Sequence, residues 1–160
     1  MYFYLFIIIL LLYASLYYLH NNEISIYQVN IKNFDFDLLY KKQPIVISEQ
    51  ITDIDTIVGN WFNFNIIYNI NNNYKWEKNK YKYLFIVSAD NYPSEISLCN
   101  PNSQLINEMP SQDSDITTIK LDNKGLIIPF NWYYYISGNV KMYGIHDYIT
   151  ICTSVISKWM

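Results

Sequence analysis

The chain has no arginine: its 11 basic residues are all lysine, and with 14 acidic residues they leave a formal charge of −3. Arginine supplies the planar fork that grips phosphates and base edges, so its absence from a mildly acidic chain argues against nucleic-acid recognition. Histidine is almost as scarce. His20 lies among asparagines and reads as an interfacial residue, while His146 precedes Asp147 and reads as part of a turn. The two cysteines, Cys99 and Cys152, lie far apart and outside any C-x-x-C pattern. That spacing supports neither a zinc site nor a redox motif and favours free buried thiols over a disulfide. Only four glycines occur, with no Gly-rich phosphate loop, no G-x-S-x-G and no H-E-x-x-H. No N-x-S/T sequon occurs among the many asparagines either. Heavy use of Ile, Asn, Lys, Tyr and Phe without Arg fits an AT-rich coding sequence, of the kind found in large eukaryotic DNA viruses and some protists. The aromatic content of 18% is partly explained the same way, so single tyrosines carry little functional weight.

What the chain has in abundance comes first. Its opening 22 residues contain no Lys, Arg, Asp or Glu, and Tyr2 to Leu19 form an almost unbroken apolar run. Eighteen helical residues cover roughly 27 Å, close to the roughly 30 Å of hydrocarbon in a bilayer. A cleaved signal fits poorly, because no basic residue precedes the run and Ala14-Ser15 is followed by Leu16, Tyr17 and Tyr18. A buried core helix fits poorly too, since the run has no polar face. The expectation is an uncleaved transmembrane anchor over 1–20, with Ile8 and Leu11 in the apolar centre. Tyr2 and Tyr4 at one end, and Tyr17 and Tyr18 at the other, suit the headgroup region. The first basic residue is Lys32, so orientation rests on the α-amino group, which places the N-terminus in the cytosol and the domain on the exoplasmic side.

Residues 21–160 are of a size for one core. Short, often alternating apolar runs predict a mainly β domain, an antiparallel β-sandwich or cupin-like barrel with one or two short helices. The run from Trp61 to Ile70 reads as a half-exposed strand. After Asn71-Asn72-Asn73 as a turn, Tyr74 to Ser88 is expected to return as its hairpin partner. Further strands are expected at Ile24–Asn30, Pro44–Ser48, Glu95–Cys99, Ile116–Leu121, Leu126–Pro129, Trp132–Ser137, Val140–Tyr143 and Tyr148–Ile156. Phe36–Lys42 suits a turn or two of helix, and Asp53–Gly59 a short helix capped by Thr52 or Asp53 and stopped by Gly59. Pro101–Asp115 reads as one long loop. Lys75, Lys78, Lys80 and Lys82 form a basic cluster at the expected hairpin tip, a solvated edge and the candidate binding surface for an anionic lipid or a partner.

The segment Asn123-Lys124-Gly125-Leu126-Ile127-Ile128-Pro129-Phe130-Asn131-Trp132-Tyr133-Tyr134-Tyr135-Ile136 resembles the late strand pair of the Jumonji-C-like cupins, G-D-x-L-F-I-P-x-x-W-W-H-x-V. Lys41-Lys42-Gln43-Pro44 followed by an apolar run is similar to the opening of such domains. The resemblance implies a cupin-like fold and, in active members, iron held by two His and one carboxylate. Here the motif is degenerate. Gly125, Pro129 and Trp132 match, but Tyr134 stands where the second His belongs, and no H-x-D or H-x-E lies upstream. An ordinary tyrosine is protonated at neutral pH and is a poor substitute for imidazole. The expectation is therefore no metal, no cofactor and no oxygenase activity. The D-x-D pairs Asp35/Asp37, Asp53/Asp55 and Asp113/Asp115 are read as capping or solvated acids rather than cation sites.

Together these observations predict a single-pass membrane-anchored, non-catalytic β domain. Its role is that of a structural or protein-interaction component, of a virion or host-derived membrane if the coding bias reports the source. Membrane lipid is the partner of residues 1–20, an unknown protein is a further partner, and nucleic acid is not one. The alternatives are a degenerate iron/2-oxoglutarate hydroxylase, with Tyr134, His146 and a carboxylate converging in a pocket, and a lectin-like module using aromatic faces and Asn side chains.

Overall fold

The computed structural model describes residues 2–18, 24–89, 93–103, 105–106, 109–111, 114–148 and 150–151. The apolar run forms α1, Tyr2–Tyr18, with 17 residues and no charged residue in its first or last turn. Its large side chains, among them Tyr2, Tyr4, Ile8 and Leu11, are exposed. The side chains of Tyr17 and Tyr18, and the residues around His20, lie outside the described set. Among the described residues, no helix is long and apolar enough to cross a membrane. Over its described residues α1 has 17 residues, about 26 Å at about 1.5 Å per residue; residues 1, 19 and 20 of the expected 1–20 span lie outside the described residues.

The rest is mainly β. In chain order the strands are β1 Tyr27–Val29, β2 Ile45–Ile47, β3 Ile66–Ile70, β4 Glu77–Lys78, β5 Tyr83–Ser88, β6 Ser94–Cys99, β7 Leu105–Ile106, β8 Met109–Pro110, β9 Ile116–Leu121, β10 Gly125–Pro129, β11 Tyr133–Ser137 and β12 Val140–His146. Six form one sheet in the order β1-β2-β10-β5-β12-β3, and four form a second in the order β4-β11-β6-β9. A β-sandwich fits this arrangement, with one departure from the all-antiparallel expectation: β1 and β2 pair in parallel. The segment expected to be one loop contains the small β7–β8 ladder.

Why this order follows from the residues is clearest at β5 and β10, whose central residues are all buried. Alternate side chains point to opposite faces of a strand. Leu84, Ile86, Leu126 and Ile128 accordingly join Ile96, Leu98, Leu121, Trp132 and Ile136 in the core between the sheets. Tyr83, Phe85, Val87 and Ile127 join a second core on the other face, under Leu39, Ile54, Val58 and Phe62. Strands apolar on both faces belong in the middle of a covered sheet. That corrects the expected hairpin: β5 is flanked by β10 and β12, and β3 pairs with β12 at the sheet edge.

The second core is roofed by a 3-10 helix over Phe36–Lys41 and by α2, Ile54–Trp61. Asp53 caps α2, accepting from the Thr56 N–H at 3.1 Å and its hydroxyl at 2.6 Å. Gly59 does not stop the helix, which runs on until the Phe62 N–H bonds Val58 O at 3.0 Å. Trp61 is therefore helical, not the start of a strand, and its ring stacks on Phe34 at 4.2 Å. The expected strand at 148–156 is corrected at its described residues, while 149 and 152–156 lie outside them. Residues 148, 150 and 151 are helical, and Asp147 Oδ1 accepts from the Thr150 N–H at 2.7 Å in the manner of a helix cap. With few glycines available, ordinary residues hold left-handed backbone at Lys42, Tyr74, Asn123 and Asn131.

Candidate functional site

The two sequence features singled out above meet at one corner of the sandwich. After Ile70 ends β3 at the edge of the large sheet, residues 71–76 carry the chain to β4 at the edge of the small one. Asparagines shape that crossing. Asn72 Oδ1 accepts from the Tyr74 N–H at 3.0 Å, and Asn73 Nδ2 donates to Glu77 Oε1 at 2.7 Å. β4 then pairs with β11, setting Glu77 opposite Tyr134 and Lys78 opposite Tyr133. Directly opposed residues share a face, so the Tyr134 hydroxyl donates to Glu77 Oε2 at 2.9 Å. Between these edges lies a cleft of about 370 Å³, lined by Ile70, Asn73, Lys75, Trp76, Glu77, Lys78, Lys80, Tyr81 and Tyr134.

Tyr134 belongs to both regions. It is buried within the inter-sheet core, yet its hydroxyl end reaches the cleft. Burial first and the Glu77 carboxylate second push its phenol well above the ordinary value, so it stays protonated and acts as a donor. Tyr81 is raised in the same direction, again chiefly by burial. Its ring lies against Gly144: a Cβ there would stand 2.5 Å from the ring atoms.

Of the four lysines, Lys75, Lys78 and Lys80 line the cleft and are exposed. Lys78 Nζ sits 5.2 Å from the Tyr133 ring centre and Lys80 Nζ 5.5 Å from that of Tyr81. Lys82 does not join them, since it pairs with Asp147 at 2.7 Å. The remaining motif residues are architectural. Gly125 makes room for Ile51, whose Cδ1 would be 2.6 Å from a Cβ there. Pro129 closes the β10 ladder opposite Tyr83. Trp132 is buried, and its indole N–H donates to Lys42 O at 3.0 Å.

The convergence required by an enzyme is partial. Tyr134 meets a carboxylate, but His146 stands behind Tyr81, with ring centres 5.0 Å apart, and its Nδ1 contacts Thr150 Oγ1 at 3.1 Å. Burial lowers the His146 pKa; Asp147 pulls it up and Lys80 pushes it down. No group of three or more His, Cys, Asp or Glu able to hold a metal occurs among the described residues. Three acids of these pairs are engaged: Asp35 accepts from the Asp37 N–H at 2.9 Å, Asp53 caps α2, and Asp55 accepts from the Tyr143 hydroxyl at 2.6 Å. Asp113 and Cys152 lie outside the described residues, and Cys99 is buried and free.

Sequence reasoning missed Glu77, Trp76, Tyr81 and Asn79. Glu77 carried a signal, being the single acid inside a run of lysines. Asn79 is buried and braces the Pro129–Trp132 bend, donating to Ile128 O at 2.9 Å and Pro129 O at 2.8 Å.

No family model matches this chain, and no curated protein matches it. Among solved structures it is similar to RmlC from Streptococcus suis in complex with dTDP-D-xylose, a cupin-like β fold, at 12% identity and a TM-score of 0.29. The match covers 52% of this chain and 43% of that one. A likeness at that score carries no argument about ligand or reaction.

Proposed function

We propose that this chain is a membrane-attached, non-catalytic β domain serving as a structural or interaction component, with α1 as its attachment. The observation that carries this is the run of exposed apolar side chains on α1, from Tyr2 to Leu12, on a helix without a charged residue. So large an exposed apolar surface calls for a non-aqueous partner. A helix satisfies its own backbone hydrogen bonds, which is what lipid demands. The 17 described residues of α1 come within about 4 Å of an average hydrocarbon layer, a difference of the kind met by local thinning or by a thin membrane. Support for the absence of catalysis comes from Tyr134. In the resembled cupins a metal-binding imidazole belongs there, whereas this phenol is protonated and committed to Glu77.

The test is flotation of the full chain with phosphatidylcholine vesicles. The wild type is expected to float and to resist alkaline carbonate. The variant with Ile8→Lys and Leu11→Lys, which puts about 3 kcal/mol of insertion cost per lysine near the helix centre, is expected to stay in the dense fraction. A wild type that stays in the dense fraction overturns the attachment. Stoichiometric iron in the purified protein, or 2-oxoglutarate turnover, overturns the absence of catalysis. Protease protection in sealed cells reads the side occupied by the domain, expected to be exoplasmic.

A further inference from the structure

We propose that the cleft between β3 and β4 binds an acidic sugar, meaning a hydroxylated ring that bears a carboxylate or a phosphate. This inference does not depend on where α1 sits. Four features of the cleft select that chemistry.

The first is charge. The chain as a whole is acidic, yet three lysines, Lys75, Lys78 and Lys80, line this cleft against the single carboxylate of Glu77. The ion pairs Lys82–Asp147 and Lys120–Glu95 engage other lysines. An anionic ligand is therefore drawn to this cleft. The second feature is Glu77 itself. Its oxygens accept from the Tyr134 hydroxyl and from Asn73 Nδ2, which leaves lone-pair positions open on a carboxylate with about four of them. A bare anion would be repelled by this group, whereas a ligand that also carries hydroxyl donors gains hydrogen bonds from it.

The third feature is the apolar wall. Trp76, Tyr81 and Ile70 supply apolar lining of the kind that suits the carbon side of a ring. The volume of about 370 Å³ lies at the small end of ligand pockets, which run from about 300 to 1,000 Å³. The fourth is the absence of arginine. Lysines act as point charges without the fork geometry that discriminates between planar and tetrahedral anions. Carboxylate and phosphate are accordingly both acceptable to these groups, and experiment separates them.

The experiment titrates the full chain, in a detergent without a sugar headgroup, with glucuronate, glucose 6-phosphate, glucose and inorganic phosphate. The readout is the Trp76 indole N–H resonance, assigned from its loss in Trp76→Phe. Glucuronate, glucose 6-phosphate or both are expected to give saturable shifts, at least roughly tenfold tighter than glucose or inorganic phosphate, the scale of one charge-assisted hydrogen bond. Whichever acid binds tighter identifies the anionic group. Lys75→Ala and Lys78→Ala alter exposed side chains, keep the fold, and are expected to bring acidic sugars down to the level of glucose. Equal binding of the tighter acidic sugar and inorganic phosphate overturns the sugar assignment, and equal binding of the tighter acidic sugar and glucose overturns the acidic one. No saturation by any of the four at millimolar concentration overturns the site.

Discussion

At the scale of single residues, buried polar groups carry more of this structure than the composition advertises. Asn79 is 1% exposed. Beyond its two bonds to the bend before Trp132, its Oδ1 accepts from the Tyr81 N–H at 3.0 Å. Asn79→Ala leaves all three partners short in a buried place, and a loss of about 2–4 kcal/mol is expected in urea denaturation. A loss under about 1 kcal/mol would show that the bend holds itself. His146 gives a pH signature. Burial lowers its folded pKa below the unfolded value, so the unfolded chain binds the proton more readily. The stabilising contribution is whole above the ordinary histidine value of about 6.5 and fades as pH falls through the lowered folded value. His146→Gln is expected to flatten the stability curve on the acid side of pH 6.5, and a curve parallel to the wild type refutes the assignment. Neither residue was legible in this role, because an asparagine in a Lys-rich run and a histidine beside an aspartate look solvent-facing until the partners arrive from distant strands.

Elements were more legible than their pairing. Ile116–Leu121, the short helix after Asp53 and the turn of helix from Phe36 match expectation, because apolar spacing and capping residues are local signals. The hairpin expected from β3 to β5 does not form, since the position of a strand depends on which faces its neighbours cover. Only the two-sided apolar character of Tyr83–Val87 pointed to a central place. The helical state of residues 148, 150 and 151 was hidden by apolar residues that alternate as in a strand, although Asp147 and Thr150 carry a capping pattern. For the site, the lysines were visible as a cluster, but the contact of Glu77 with Tyr134 is a matter of register between β4 and β11. Strand β12 offers an element-scale prediction. At Gly144 a Cβ would meet Tyr81 at 2.5 Å and Ile70 at 2.7 Å, whereas at Gly59 nothing lies within 4 Å. Gly144→Ala is expected to lower stability by about 1–3 kcal/mol and to displace the Tyr81 ring. Gly59→Ala, inside a helix, is expected to raise stability by up to about 1 kcal/mol. Thermal melts of the two variants shifting in the same direction would contradict the packing described.

At the scale of the whole molecule, two cores share the central strands of one sheet. Leu84 lies in the inter-sheet core, and its neighbour Phe85 lies under the helical roof. Loss of either core therefore removes the support of the other. Leu84→Ala and Phe85→Ala are each expected to cost about 3–5 kcal/mol and to move a single unfolding transition, read by far-ultraviolet circular dichroism and tryptophan fluorescence together. Two separate transitions in either variant would mean that the layers are independent. The left-handed turns bear on the molecule as a whole in another way. Lys42 and Tyr74 occupy backbone that glycine adopts freely and that other side chains resist. A chain so poor in glycine thus holds its corners under tension, and its topology admits a sturdier sequence than the one it has.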